Sequence, residues 1–169
     1  MQFNNLDCWV NNKMKKAVSF FSAIIICQLT GFLGSFFTRP AIDGWYAGLK
    51  KPVFNPPNWL FAPVWTVLFL LMGISLFLVW SQDWSRKEVK VSLVFFTLQL
   101  LLNFFWSFIF FKLQSPLAAL IEIIFLWLAI LFTLLNFFQL SKLAGWLLLP
   151  YLLWVSFAGL LNFFIVRLN

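Results

Sequence analysis

The sequence predicts an all-α membrane protein: a five-transmembrane-helix bundle with a structured, aromatic, proline-rich first loop. Three observations carry that expectation. The chain of 169 residues is 63% hydrophobic and only 10% charged, far outside the range of soluble domains. Apolar runs recur five times, at about 17–38, 61–80, 91–111, 117–138 and 144–166, each near the roughly 20 residues that a bilayer requires. The segment 45–65 between the first two runs differs from both. It holds four of the seven prolines (Pro52, Pro56, Pro57 and Pro63), three tryptophans, Tyr46, Lys50 and Lys51.

Composition also excludes whole classes of function. The net charge of +7 comes from lysines and arginines scattered between apolar segments. They read as topology determinants and headgroup anchors, with membrane lipid as the partner and no nucleic acid. Histidine is absent, which removes the usual general base and the commonest metal ligand. No Cys/His metal spacing, phosphate loop or nucleophile elbow is present, so no conventional catalytic constellation and no obligate cofactor are expected. The two cysteines are Cys8 in the polar amino-terminal segment and Cys27 deep in the first run. Those places make a mutual disulfide implausible.

In chain order, residues 1–16 read as a polar amino-terminal tail ending in Lys13, Lys15 and Lys16, and 17–169 as a single domain. The first run is too long for a signal-peptide core and lacks a small-residue cleavage site, so it is expected to stay as a span. Next comes the first loop, where Pro52, Pro56 and Pro57 forbid a long helix. A short helical turn around 44–49 is compatible with them. The later connections, 81–90, 112–116 and 139–143, are short, which makes neighbouring helices antiparallel. The distribution of Lys and Arg leans towards an amino terminus inside and the large loop outside.

With antiparallel spans, the first loop shares a membrane face with the end of span three, the start of span four and the end of span five. At about 1.5 Å rise per residue, Trp65, Asn103, Trp106, Glu122 and Asn162 lie within roughly 12 Å of that face. Trp154 falls near the bilayer middle. Gln99, Asn103, Trp106 and Phe110 form one helical stripe, and Tyr151, Trp154, Ala158 and Leu161 another. Polar groups at such depth are costly unless they face the bundle interior or a cavity. Taken singly they read as interhelical hydrogen-bonding groups, and the loop as an interfacial aromatic belt. Gathered beneath a stiff aromatic lid, they point to a pocket. Ala158 and Gly159 beside Trp154 leave room in it for a flat guest.

The loop carries a more specific signal. Trp45-Tyr46, Leu49, Lys51-Pro52, Pro56-Pro57, Trp59 and Pro63-Val64-Trp65 resemble the signature of the tryptophan-rich sensory protein/translocator protein family, formerly the peripheral-type benzodiazepine receptors. Gln99-Leu100-x-x-Asn103-x-x-Trp106 with Phe110-Phe111 matches as well, as does Pro150-Tyr151-Leu152-x-Trp154 through Ala158 to Leu161-Asn162. The resemblance implies a homodimeric five-helix bundle that binds porphyrins, and in some members sterols or synthetic aromatic drugs. It implies ligand-binding positions at Tyr46, Trp65, Asn103, Trp106, Trp154, Ala158 and Leu161. Trp65 and Trp154 match tryptophans associated with light-dependent porphyrin breakdown, a photochemical role in which porphyrin is ligand or substrate.

Two departures stand out. No Lys or Arg follows Tyr151 within five residues, so the proposed sterol motif is missing. Span three, 91–111, contains no Gly or Ala, which leaves Gly31-x-x-x-Ser35 in span one as the small-residue pair available for dimer packing. The expected function is therefore an integral membrane receptor or sensor for tetrapyrroles. The alternatives are a transporter of porphyrin or another hydrophobic small molecule, and a ligand-free membrane scaffold. A short chain without a presequence suits a bacterial cell membrane, with the mitochondrial outer membrane as the eukaryotic counterpart.

Overall fold

The computed structural model describes the backbone of residues 3–169 and the side chains of residues 13–169; Cys8 lies outside the described side chains. Helix α1 runs over Phe3–Ile42. From Phe3 onward the polar segment ahead of the first span is thus helical and continuous with it, because no Pro or Gly stands there to stop the helix. At 40 residues and about 1.5 Å each, α1 is roughly twice as long as the hydrocarbon core is thick.

After Asp43-Gly44 the chain makes one helical turn, α2 (Trp45–Gly48), and then an extended stretch set by Pro52, Pro56 and Pro57. Helix α3 (Asn58–Trp80) starts directly after the proline pair, three residues before the expected start of the second run. In the next loop the Asp83 carboxylate accepts from the Ser85 N–H at 2.9 Å and the Ser85 hydroxyl at 2.7 Å. These bonds hold its pKa below the ordinary aspartate value.

Helix α4 (Lys87–Ser107) does not end cleanly. It widens into a π-helical turn over Phe108–Lys112, and Gln114 then takes a left-handed conformation with φ 51°. Helix α5 (Pro116–Leu140) begins with proline at its first position, where the missing N–H has no helical partner to lose. Only Ser141 separates it from α6 (Lys142–Leu168), and the Ser141 hydroxyl accepts from the Ala144 N–H at 3.4 Å.

Five of these helical stretches are long and apolar enough to cross a membrane: Lys13–Ile42, Asn58–Trp80, Lys87–Lys112, Pro116–Leu140 and Lys142–Leu168. They close into a ring in the order α1, α3, α6, α5, α4, with α4 returning to α1. Small residues set the α1–α3 spacing. A β-carbon at Gly73 would lie 2.7 Å from the Ile24 Cα, and one at Gly31 would run into the Phe69 ring. Gly31 is therefore engaged inside the bundle. The absence of a side chain at Gly31 thus serves close approach by α3 of the same chain.

The apolar interior divides in two. The main cluster includes Phe69, Met72, Leu126 and Leu148, with Phe96 and Phe137 stacked at 5.6 Å and 6°. A smaller one, Tyr46, Phe110, Ala119, Leu161 and Ile165, sits under the first loop.

Candidate ligand-binding cavity

A cavity of about 370 Å³ has walls drawn from both clusters, a size at the lower end of small-molecule sites. The loop roofs it. Tyr46 is buried, and its ring meets Phe110 and Phe111 edge-on at 6.1 and 5.8 Å. The Tyr46 hydroxyl donates to Asn55 Oδ1 at 3.0 Å, and Lys51 Nζ sits 4.4 Å from the ring centroid. Burial raises the pKa of the Tyr46 phenol above its ordinary value. Phe54 rests on Phe164 at 5.4 Å. Asn169, at the end of α6, holds Lys50 at both backbone groups: its Oδ1 accepts from the Lys50 N–H and its Nδ2 donates to the Lys50 carbonyl, each at 3.0 Å. The lid is thus tied to the bundle by ring contacts and by a two-point hydrogen bond.

The walls are aromatic. Trp65, on α3, stacks on Phe69 at 5.4 Å and meets Tyr151 edge-on at 6.2 Å. Trp106, on α4, stacks on Phe110 at 5.1 Å, and Trp154, on α6, meets Phe61 edge-on at 6.0 Å. The π-helical turn matters here, since it holds Phe110 and Phe111, which both line the cavity. At the floor, Asn103 Nδ2 donates to the Tyr151 hydroxyl at 3.0 Å. Asn162, with its amide oriented to satisfy both neighbours, donates to the Pro116 carbonyl and accepts from the Leu120 N–H, each at 3.0 Å.

All seven positions expected to bind ligand, Tyr46, Trp65, Asn103, Trp106, Trp154, Ala158 and Leu161, line this one cavity. Gln99 and Glu122 do not; both are buried beside it, and none of their side-chain polar atoms has a hydrogen-bond partner. The sequence reading missed the contribution of α1. Gln28, Gly31, Ser35 and Thr38 line the cavity at spacings of three, four and three, one helical face whose small and polar residues were the available signal. Gln28 Nε2 donates to the Thr66 carbonyl at 3.0 Å and joins α1 to α3 there.

Chemically, the site offers flat π surfaces and few open polar groups. The hydroxyls of Ser35, Thr38 and Thr66 already donate to carbonyls of their own helices. The indole N–H groups of Trp106 and Trp154 are buried and donate to nothing. The stacked and edge-on rings around this space suit a flat aromatic guest. Among the described residues no cluster of His, Cys, Asp or Glu could hold a metal ion.

Comparison with known proteins places this architecture. The TspO/MBR family model matches residues 23–168. The tryptophan-rich protein TspO of Chlorobaculum tepidum is 48% identical over 155 residues, covering 92% of this chain and 98% of that protein. Its namesake from Archaeoglobus fulgidus is 50% identical over 88% of this chain and 95% of its own length. The human translocator protein is 39% identical, with 82% of each chain covered. Five apolar spans in a closed ring, a structured aromatic loop over one end and a family match across nearly the whole chain agree: the chain is an integral, multi-pass membrane protein of the TspO/MBR family.

Proposed function

We propose that the chain is a membrane receptor or sensor for flat tetrapyrroles, bound under the first loop, and that Trp65 and Trp154 support light-dependent breakdown of the bound porphyrin. One observation carries the reading. Trp65, Trp106 and Trp154 come from three different helices to line a single cavity. A macrocycle supplies an extended face for stacking against these rings. Indole is also the most readily oxidised side chain in the wall, so an electron can pass from it to a photoexcited porphyrin.

Several relatives are named translocator proteins, and transport is the competing reading. Reception is favoured because the Asn103–Tyr151 pair closes the floor and the main apolar cluster fills the bundle beyond it. Titration of purified protein with protoporphyrin IX, followed by tryptophan quenching, tests the proposal. Saturable binding with one site per chain is expected. Absence of saturation would overturn it, and vectorial porphyrin flux in proteoliposomes would favour transport.

A further inference from the structure

The charge of the cavity wall points to more than an aromatic guest. Its lining includes one charged side chain among the described residues, Arg39, and no Asp or Glu. Arg39 is exposed, in the last turn of α1. The one ion pair formed among the described residues joins Arg86 to Glu88, so no described acid, Asp43 four residues on included, forms an ion pair with Arg39. The exposed lining residues Phe32, Arg39, Asn58, Ala62 and Thr66 mark the mouth, between the carboxyl-terminal part of α1 and the start of α3. Asn58 is the first residue of α3, a helix with no side-chain cap. Its leading N–H groups therefore bring the positive end of a 23-residue helix to the same rim.

We propose that this mouth is an anion subsite: the cavity selects ligands with a flat apolar body and a carboxylate, which Arg39 holds with help from Asn58 and the α3 amino terminus. The proposal rests on the tetrapyrrole reading and adds an orientation to it. The macrocycle lies inward among the tryptophans, and its acidic side chains stay at the rim. A guanidinium fits a carboxylate through paired N–H donors. The competing role for Arg39 is to anchor on lipid phosphate and complement the α1 dipole, which gives no discrimination between ligands.

The test compares protoporphyrin IX, which bears two propionates, with its dimethyl ester, in nonionic detergent that contains no lipid phosphate. Affinities are read by tryptophan quenching for the parent chain, Arg39→Gln and Arg39→Lys. The parent should prefer the diacid by about two- to fivefold, the scale of an exposed ion pair, and the preference should shrink as salt rises. Arg39→Gln should bring the ratio to about one by weakening the diacid alone, while Arg39→Lys keeps most of the preference. Equal binding of the two probes by the parent, or an unchanged ratio in Arg39→Gln, would overturn the anion subsite while leaving the tetrapyrrole reading intact. Failure of both probes to saturate would overturn the two together.

Discussion

Asn103 Nδ2 donates to the Tyr151 hydroxyl at 3.0 Å, a fully internal bond that links α4 to α6 at the floor of the cavity. Both side chains are buried, so the bond contributes to helix association, and losing the hydroxyl leaves a buried amide unsatisfied. Tyr151→Phe should therefore lower stability by about 0.5–1.7 kcal/mol. Reversible unfolding in mixed micelles measures this; a variant as stable as the parent would show that Asn103 finds another partner.

The lid makes a position-by-position prediction for hydrogen exchange. Within the first loop, Lys50 N–H is held by Asn169 and Asn55 N–H by the Pro52 carbonyl, both at 3.0 Å. Those two amides should exchange slowly without ligand, and more slowly still when porphyrin saturates the site. Asn169→Ala should release Lys50 and leave Asn55 protected. Uniformly fast exchange through the loop would contradict an ordered lid.

Helix spacing can be probed at two glycines with opposite outcomes. At Gly73 a β-carbon would press on the Ile24 backbone, which cannot rotate away, whereas at Gly48 it would meet nothing within 4 Å. Gly73→Ala should cost about 1–3 kcal/mol by forcing α1 and α3 apart. Gly48→Ala should be neutral or stabilise by up to about 1 kcal/mol, since Gly48 sits in helical α2 with no positive φ. Equal effects at the two sites would refute the packing account.

Trp65→Phe and Trp154→Phe separate photochemistry from packing. Phenylalanine keeps much of the apolar face and removes the more oxidisable ring. Because the Trp154 indole N–H donates to nothing, its loss strands no partner. Illuminated samples of both variants should lose porphyrin breakdown, followed by absorbance, while retaining most of the binding. Breakdown at the parent rate would end the photochemical claim.

Asp83 offers a pH-dependent marker on the opposite membrane face. The N–H and hydroxyl of Ser85 favour its ionised form, so its folded pKa is depressed. The sign follows: the loop gains stability from Asp83 above the unfolded pKa and loses it as pH falls through the folded one. Chemical-shift titration of Asp83 should show a midpoint below that of an unstructured aspartate, and Ser85→Ala should raise it. A midpoint unchanged by that substitution would refute the assignment.

Much of this architecture is legible in one dimension. Five apolar runs separated by charged or proline-rich breaks leave the backbone no other way to satisfy its hydrogen bonds in lipid. Trp65 was legible as a candidate site residue from its depth beneath the stiff aromatic loop, whereas Tyr46 came as one from the family resemblance. Asn103 was legible because an amide at that depth must face inward.

Other features depended on how the helices meet. Helix α4 widens into a π-helical turn at Phe108–Lys112, and nothing local in that aromatic stretch distinguishes π from α geometry. The use of Gly31 within the chain could not be read from its spacing with Ser35, since a small residue serves equally for a partner chain or a neighbouring helix; the Phe69 ring of α3 packs against it. Arg39 looked like a headgroup anchor until the ring order α1, α3, α6, α5, α4 placed it on the rim of the cavity. Hydropathy and proline placement act along the chain, so the sequence alone determined the spans and the lid. Which faces pair, how closely, and which charge meets the pocket are properties of the space between helices, and tertiary packing decided them.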